Sequence, residues 1–436
     1  MPLKSLLFIS LFAFCVVAAL FVPSIGVYGY IAEYCIGSAG QWWEAPFSGL
    51  GLRYSFMLAG ATAAGLLLHW RNLNFGDQLI QPREMLLLAF LAVVWVSTLL
   101  SPATTARYST VDHPSVKFTK IIIFVFMMTH IVTDFRKVDG LMWVFVLVAL
   151  LLGVQAWSMP RRAFQYGRLE NIGGADFAEA NFFAAFMAAM LPIIGIQLLR
   201  AKKYWLKGLC AVSAAFTANA VVLCRSRGAF VGIAAGALTA LSFAPKKMRK
   251  QIIIGLVLGI AGGIYVADPQ FLERIGTISV SEEELDESAA SRFRLWEAGA
   301  KMFFDHPLGI GIGNWYQTIG RYIPEYAGKD SHNTYVKALA ELGILGITLF
   351  GLLILGALRQ LWKIRETAHA MDNGVGDDFL HLSFGLGLCL VVMLACGLTI
   401  TMTYGEFFWI MLFLPVCLQR ALDNAVSNPG QVEDER

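Results

Sequence analysis

Charge is what this sequence has least of: Asp, Glu, Lys and Arg together make up only 15% of its 436 residues. Soluble globular domains usually carry about a quarter, so a water-facing globule is excluded at the outset. The few charges nearly cancel, to +3, too little to argue for nucleic acid, and no basic-aromatic motif supports that partner. Metal-ligand spacings are missing too. There is no Asp-x-Asp pair and no His/Cys cluster, so nothing in the pattern calls for a metal or any other cofactor. The seven cysteines form no disulfide framework. Cys15, Cys210, Cys389, Cys396 and Cys417 fall in apolar runs, Cys224 at the end of one and Cys35 in an outer loop. The alternation that marks a membrane barrel is absent, as is any tandem repeat.

What the chain does contain is apolar sequence: 57% hydrophobic residues and a mean hydropathy of +0.61. Nearly uncharged runs of about 17 residues or more recur, long enough for a helix to cross a bilayer. Lipid offers the backbone no hydrogen-bond partners, so these runs must be helical. The expected fold class is an all-α polytopic membrane protein with about twelve transmembrane helices. They are placed near 6–27, 54–70, 85–101, 118–134, 141–158, 181–199, 207–224, 228–244, 252–267, 338–358, 379–399 and 405–419. The first resembles a signal peptide in having Lys4 ahead of an apolar core. The uncharged stretch from Ser5 to Ala32 is longer than such a peptide's apolar region, and it is read as a span. If the N-terminus is cytoplasmic, the short inner loops collect Arg71, Arg83, Arg136, Lys137, Arg200, Lys202, Lys203, Lys246, Lys247, Arg249, Lys250, Arg359, Lys363 and Arg365. The positive-inside rule is then met.

Three sections follow: 1–267 with the first nine spans, 268–337 as a large extracytoplasmic loop, and 338–436 with the last three spans and a cytoplasmic tail. The loop is the place to expect chemistry, since connections this long in compact domains are functional or disordered. Residues 280–288 are acidic and read as mobile. Residues 291–304 read as a helix capped by Ser291, with Phe293, Trp296, Ala300 and Phe303 at helical spacing and with Pro307 and Gly309 as stop signals. Residues 309–314 read as a flexible turn, and a second helix starts near Asp330 or Ser331 and runs into the tenth span.

The outer side also carries basic residues, and these are the candidates for binding an anion. Arg225-Ser226-Arg227-Gly228 sits between two apolar runs so close that only a tight turn fits. Guanidiniums at that depth either snorkel to headgroups or work, and the group they grip best is a phosphate, in a bidentate manner. Arg292 and Arg294 point about 200° apart on a helix, so one of them faces a given site. Arg292 shares a face with Trp296; Arg294 can pair with Glu297 or meet solvent. His332 ends the polar insert. Its imidazole could take a proton from a sugar hydroxyl near neutral pH or could simply cap the helix start. Asn333 and Tyr335 beside it are read as substrate-binding. The loop 159–180 ends at Asn181 and holds Arg168; both are read as a second wall of the same site or as part of a solvated loop. Glu341 falls on the opposite helical face from His332 and is expected to hold the helix or a neighbouring Arg. The other six histidines show no catalytic companion.

Taken together, Ser226-Arg227-Gly228-Ala229, Arg292 four residues before Trp296, Asp305-His306-Pro307-Leu308-Gly309-Ile310-Gly311, and His332-Asn333 with Glu341-Leu342-Gly343 resemble the O-antigen ligase and polymerase superfamily. The resemblance is clearest over 165–360. Asn181-Phe182-Phe183 looks like the O-glycosylation or exosortase-associated ligases of that group. The resemblance implies a C-type glycosyltransferase fold and an inverting, metal-independent reaction. It implies an undecaprenyl-diphosphate glycan as donor, used at the periplasmic face of a bacterial inner membrane in lipopolysaccharide or related polysaccharide assembly. Carried over by position, Arg227 and Arg292 bind the diphosphate with Arg225 assisting, and His332 activates the acceptor hydroxyl or stabilises the leaving diphosphate. A ligase would use lipid A-core or protein as acceptor and a polymerase another lipid-linked repeat; the shared motifs do not separate them. A lipid-linked glycan transporter is the reading from another class. Transporters gather their polar residues at the bilayer midplane, whereas here they gather at one face.

Overall fold

The computed structural model describes residues 3–38, 41–73, 78–101, 112–160, 164, 167–266, 287–371 and 374–427. Among them the regular structure is helical, without a strand. The helices in chain order are α1 (Leu3–Phe21), α2 (Pro23–Ile36), α3 (Tyr54–Leu68), α4 (Pro82–Leu99), α5 (Pro114–Ile131), α6 (Phe135–Ser158), α7 (Ala180–Arg200), α8 (Tyr204–Cys224), α9 (Arg227–Phe243), α10 (Arg249–Val266), α11 (Glu287–Asp305), α12 (Trp315–Tyr322), α13 (Thr334–Ala370), α14 (Gly374–Cys396) and α15 (Glu406–Ser427).

Nine helices among the described residues are long and apolar enough to cross a membrane, so the chain is a multi-pass membrane protein. α3 and α9 are apolar but only 15 and 17 residues long. The expectation of twelve spans therefore meets nine helices of full length and apolarity. The first predicted span is broken in two. Pro23 lacks an N–H and forces the residue before it out of the helical region, and Val22 adopts φ −132°, ψ 86°. Beyond the break α2 continues far enough to take Cys35, expected in a loop, into a buried position. All seven cysteines are unpaired.

α15 forms the centre of the bundle, buried along most of its length. Its fully buried Trp409 meets Phe90 of α4 and Phe118 of α5 at ring-centroid distances of 5.1 Å each, and Phe350 of α13 at 6.0 Å. Such ring pairs add about 0.5–1.5 kcal/mol each beyond area burial.

The two ends of the bundle differ in chemistry. At one end, Arg200 bridges Asp139 at 2.5 Å and Asp378 at 2.9 Å, and Lys247 pairs with Asp377 at 3.0 Å. Toward that end a wholly buried pair, Arg420 and Glu84 at 2.9 Å, also engages the carbonyls of Leu79 and Thr129. His130 lies 3.6 Å from Glu84, so this histidine does have charged companions. At the other end lie the turn between α8 and α9, the described part of the polar insert, and the α14–α15 connection.

In that insert α11 begins at Glu287, one turn ahead of expectation, which puts Ser291 inside the helix and not at its cap. Ala289 and Ala290, strong helix formers, allow the extension. Most of the acidic stretch expected to be mobile, 280–286, lies outside the described residues. The turn 309–314, expected to be flexible, is pinned. Ile310 and Ile312 are buried, and the N–H groups of Ile310 and Gly311 donate to the carbonyls of Ala340 and Glu341 at 3.0 and 2.9 Å. α13 is interrupted opposite this turn at Gly343, with φ 63°. A side chain there would run into the backbone of Pro307, Leu308 and Gly309. Two of the segments that carry the resemblance thus dock on each other.

Candidate active site

Arg225 and Ser226 alone separate α8 from α9, and helices before so tight a turn commonly end on a residue that turns left-handed. Arg225 does so, with φ 49°. It leaves Ser226 buried and both Arg225 and Arg227 half-buried. The turn is braced from the 159–180 loop. Arg168 donates through Nε to the Cys224 carbonyl at 3.1 Å and through Nη2 to Asn181 Oδ1 at 2.6 Å; the Ser226 hydroxyl also donates to Asn181 Oδ1, at 3.0 Å. Arg168, Asn181 and the Arg225–Arg227 turn are therefore one assembly. Within it, Asn181 is committed to the brace, its Nδ2 donating to Glu179 at 2.8 Å.

His332, like Arg225 and Asn171, is a left-handed side-chain residue at this end, with φ 48°. It lies two residues before α13, whose N-cap is Asn333. Asn333 Oδ1 accepts from the N–H groups of Tyr335 and Val336 at 2.9 and 3.0 Å, and its Nδ2 donates to the Leu398 carbonyl at 3.0 Å. Asn333 takes the capping role open to His332 in sequence, and the imidazole stays half-buried with its side chain 35% exposed. The Tyr335 hydroxyl donates to the Leu394 carbonyl at 2.7 Å. Asn333 and Tyr335, read as substrate-binding, thus direct polar atoms to backbone of α13, α14 and the segment after α14.

α11 lies across this turn. Trp296 Nε1 donates to the carbonyl of Ser331, the residue before His332, at 3.1 Å. Arg292, one helical turn earlier on the same face, is half-buried, while Arg294 faces outward and pairs with Glu325 at 3.4 Å. Arg292 thus lies on the Trp296 face given by helical spacing, and Glu325 takes the place expected for Glu297 beside Arg294.

A segment that sequence reasoning missed joins the two turns. Residues 397–405, between α14 and α15, receive the Thr334 N–H at the Gly397 carbonyl (2.8 Å) and the Thr334 hydroxyl at the Ile400 carbonyl (2.7 Å). The Thr403 hydroxyl donates back to the Thr334 carbonyl at 2.9 Å. On its other side the segment presses Thr399 and Ile400 against Gly228 so closely that a Cβ has no room. Gly228 follows Arg227 directly. The cationic turn and the histidine turn therefore lie on two sides of one short strip of chain. Its Thr-Ile-Thr-Met-Thr sequence carries no charge, so no charge pattern could have flagged it.

Among the described residues Glu341 is not paired with an arginine; the charge acting on it is the Lys337 ammonium. Its Oε1 accepts from the Trp315 N–H at 3.0 Å, and its carbonyl from Ser97 at 2.7 Å. Asp330 was also missed as a partner. Its Oδ1 accepts from Lys337 Nζ at 3.0 Å and from the Tyr316 hydroxyl at 2.8 Å, and its Oδ2 from the His332 N–H at 3.2 Å. Burial alone would raise its pKa, but the Lys337 ammonium and the hydrogen bonds from Thr401, Tyr316 and Lys337 hold it well below the usual carboxylate range. Burial, and then the Asp330 charge working against that of Lys337, push the Tyr316 phenol up to about 12. An ionised carboxylate thus stands beside the histidine, with half-buried guanidiniums on the neighbouring elements.

Residues 212–351 match the family model Wzy_C, O-antigen ligase. The match spans Arg225, Arg227, Arg292, His332 and Gly343, and bears out the resemblance to that superfamily. It supports a membrane enzyme with glycosyltransferase-like ligase activity in general. No curated protein matches the chain.

Proposed function

We propose that the protein is a glycosyltransferase of the O-antigen ligase type. It transfers a glycan from an undecaprenyl-diphosphate donor to a hydroxyl of lipid A-core or protein, at the periplasmic face of the bacterial inner membrane. The observation that supports this best is the convergence of the Arg225–Arg227 turn and the His332 turn on residues 397–403. It brings anion-binding groups and a proton acceptor to one end of the bundle. In the reaction, His332 takes the proton from the acceptor hydroxyl as that oxygen bonds to the anomeric carbon from the face opposite the diphosphate. The bond from the anomeric carbon to the diphosphate oxygen breaks, with inversion, and undecaprenyl diphosphate leaves with the bonding pair. Arg227 and Arg292 meet the growing negative charge, with Arg225 assisting and Arg168 and Asn181 holding the turn. Each of the two main cations contributes on the order of 2–4 kcal/mol in the transition state, by analogy with single oxyanion donors. No step calls for a metal ion, since diphosphate departs readily once its charge is met by preorganised cations.

Lipid-diphosphate binding and single-turnover transfer, measured together, test the roles. His332→Ala lowers transfer by roughly 10²–10⁴-fold, to a measurable residual rate, and leaves donor binding near the wild-type value, because its interaction belongs to the transition state. Arg227→Ala and Arg292→Ala weaken donor binding as well as turnover. Arg227→Lys rescues poorly, since an ammonium cannot reproduce a bidentate clamp. Normal transfer by folded His332→Ala protein removes His332 as the base.

A further inference from the structure

We propose that Asp330 is the positioning residue of His332: it fixes the imidazole so that Nε2 faces the acceptor and its charge stabilises the imidazolium formed during transfer. This rests on the reading of His332 as the base. Asp330 Oδ2 accepts the His332 backbone N–H at 3.2 Å and lies 3.9 Å from Nδ1 of the same residue. One carboxylate oxygen therefore holds the left-handed backbone of His332 and stands beside Nδ1 of its ring, beyond hydrogen-bond length. A carboxylate on that side favours the tautomer with the proton on Nδ1 and leaves Nε2 as the acceptor.

The carboxylate is itself held on the other side. Oδ1 takes Lys337 Nζ and the Tyr316 hydroxyl, and the Lys337 ammonium lies 4.3 Å from the centroid of the Tyr316 ring. Lys337 comes from the first turn of α13 and Tyr316 from α12, so Asp330 is fixed from two elements before it reaches His332. The side chains of Lys337 and Asp330 are only 7% and 19% exposed. A buried ammonium needs a counter-charge, which is the competing account of Asp330: a partner for Lys337 that has nothing to do with the histidine. The accounts separate because the two duties use different oxygens and different partners.

The experiment uses the full-length protein in nanodiscs, with single-turnover transfer, donor binding and thermal midpoint read for each variant. Asp330→Asn keeps the size and lowers transfer about a hundredfold, at the low end of the effect of a positioned acid–base group, while donor binding is unchanged. Because that variant takes from the buried Lys337 ammonium one of its two carboxylate neighbours, Glu341 being the other, Asp330→Asn is combined with Lys337→Met. The double variant regains thermal stability and does not regain transfer. If transfer returns with stability, Asp330 serves only as a counter-ion and the proposal fails. In a His332→Ala background, Asp330→Asn produces no further loss, since it acts through the missing ring. A further loss of tenfold or more (about 1.4 kcal/mol) overturns the proposal as well. If His332→Ala itself transfers normally, what fails is the reading of His332 as the base on which the proposal rests.

Discussion

Replacing Asn333 tests whether the residue that looks in sequence like a substrate ligand works through the fold. Its side chain makes three hydrogen bonds, two from α13 N–H groups to Oδ1 and one from Nδ2 to the Leu398 carbonyl, all between 2.9 and 3.0 Å. Asn333→Ala loses the N-cap, at about 0.5–2 kcal/mol. It also leaves the Leu398 carbonyl without its donor, at about 1–3 kcal/mol. The sum is roughly 1.5–5 kcal/mol on these two principles, placed where α13 and the 397–405 strip are joined. Asn333→Asp keeps both capping bonds and places a negative charge at a helix N-terminus, which is favourable, yet it cannot donate to Leu398. It therefore loses only the second contribution. The expected order of thermal midpoints in purified, lipid-reconstituted protein is wild type above Asn333→Asp above Asn333→Ala. Transfer falls in the same order, because the His332 turn loses its anchor. An unchanged midpoint for Asn333→Ala together with abolished donor binding would refute the reasoning, since that pattern belongs to a side chain touching substrate.

Two further outcomes are expected. Single cysteines introduced at 332 and 247 and probed with an impermeant thiol reagent in intact cells should react at 332 and stay protected at 247, because the basic short loops belong inside and the two positions lie at opposite ends of the bundle; the reverse pattern sinks the proposed orientation. Transfer by purified protein should survive EDTA, since the sequence lacks a cluster with metal-ligand spacing, and an activity lost to EDTA and restored by a divalent ion defeats the metal-free mechanism.

Much was legible in the sequence because the bilayer restricts what a chain can do. Long uncharged runs have to be helices, so the all-helical class and most helix positions follow from hydropathy. A connection as short as Arg225-Ser226 has to be a tight turn. The choice of Arg292 over Arg294 follows from helical geometry, since only one of two residues about 200° apart can share the Trp296 face. Contacts between distant, uncharged stretches were not legible, because hydrogen bonds to backbone carbonyls leave no pattern in side-chain identity. Thr334, Asn333 and Gly228 meet residues 397–403 in this way. So does Gly343, which interrupts α13 to admit the backbone of 307–309. Sequence periodicity could mark His332 as the end of an insert, but it could not say whether His332 caps the helix. The tertiary structure decided that by giving the cap to Asn333, turning His332 left-handed and setting Asp330 behind it. The sequence determined which residues were available at that end of the membrane. Packing across the α14–α15 connection, at long sequence separation, decided which of them are held on one strip of chain.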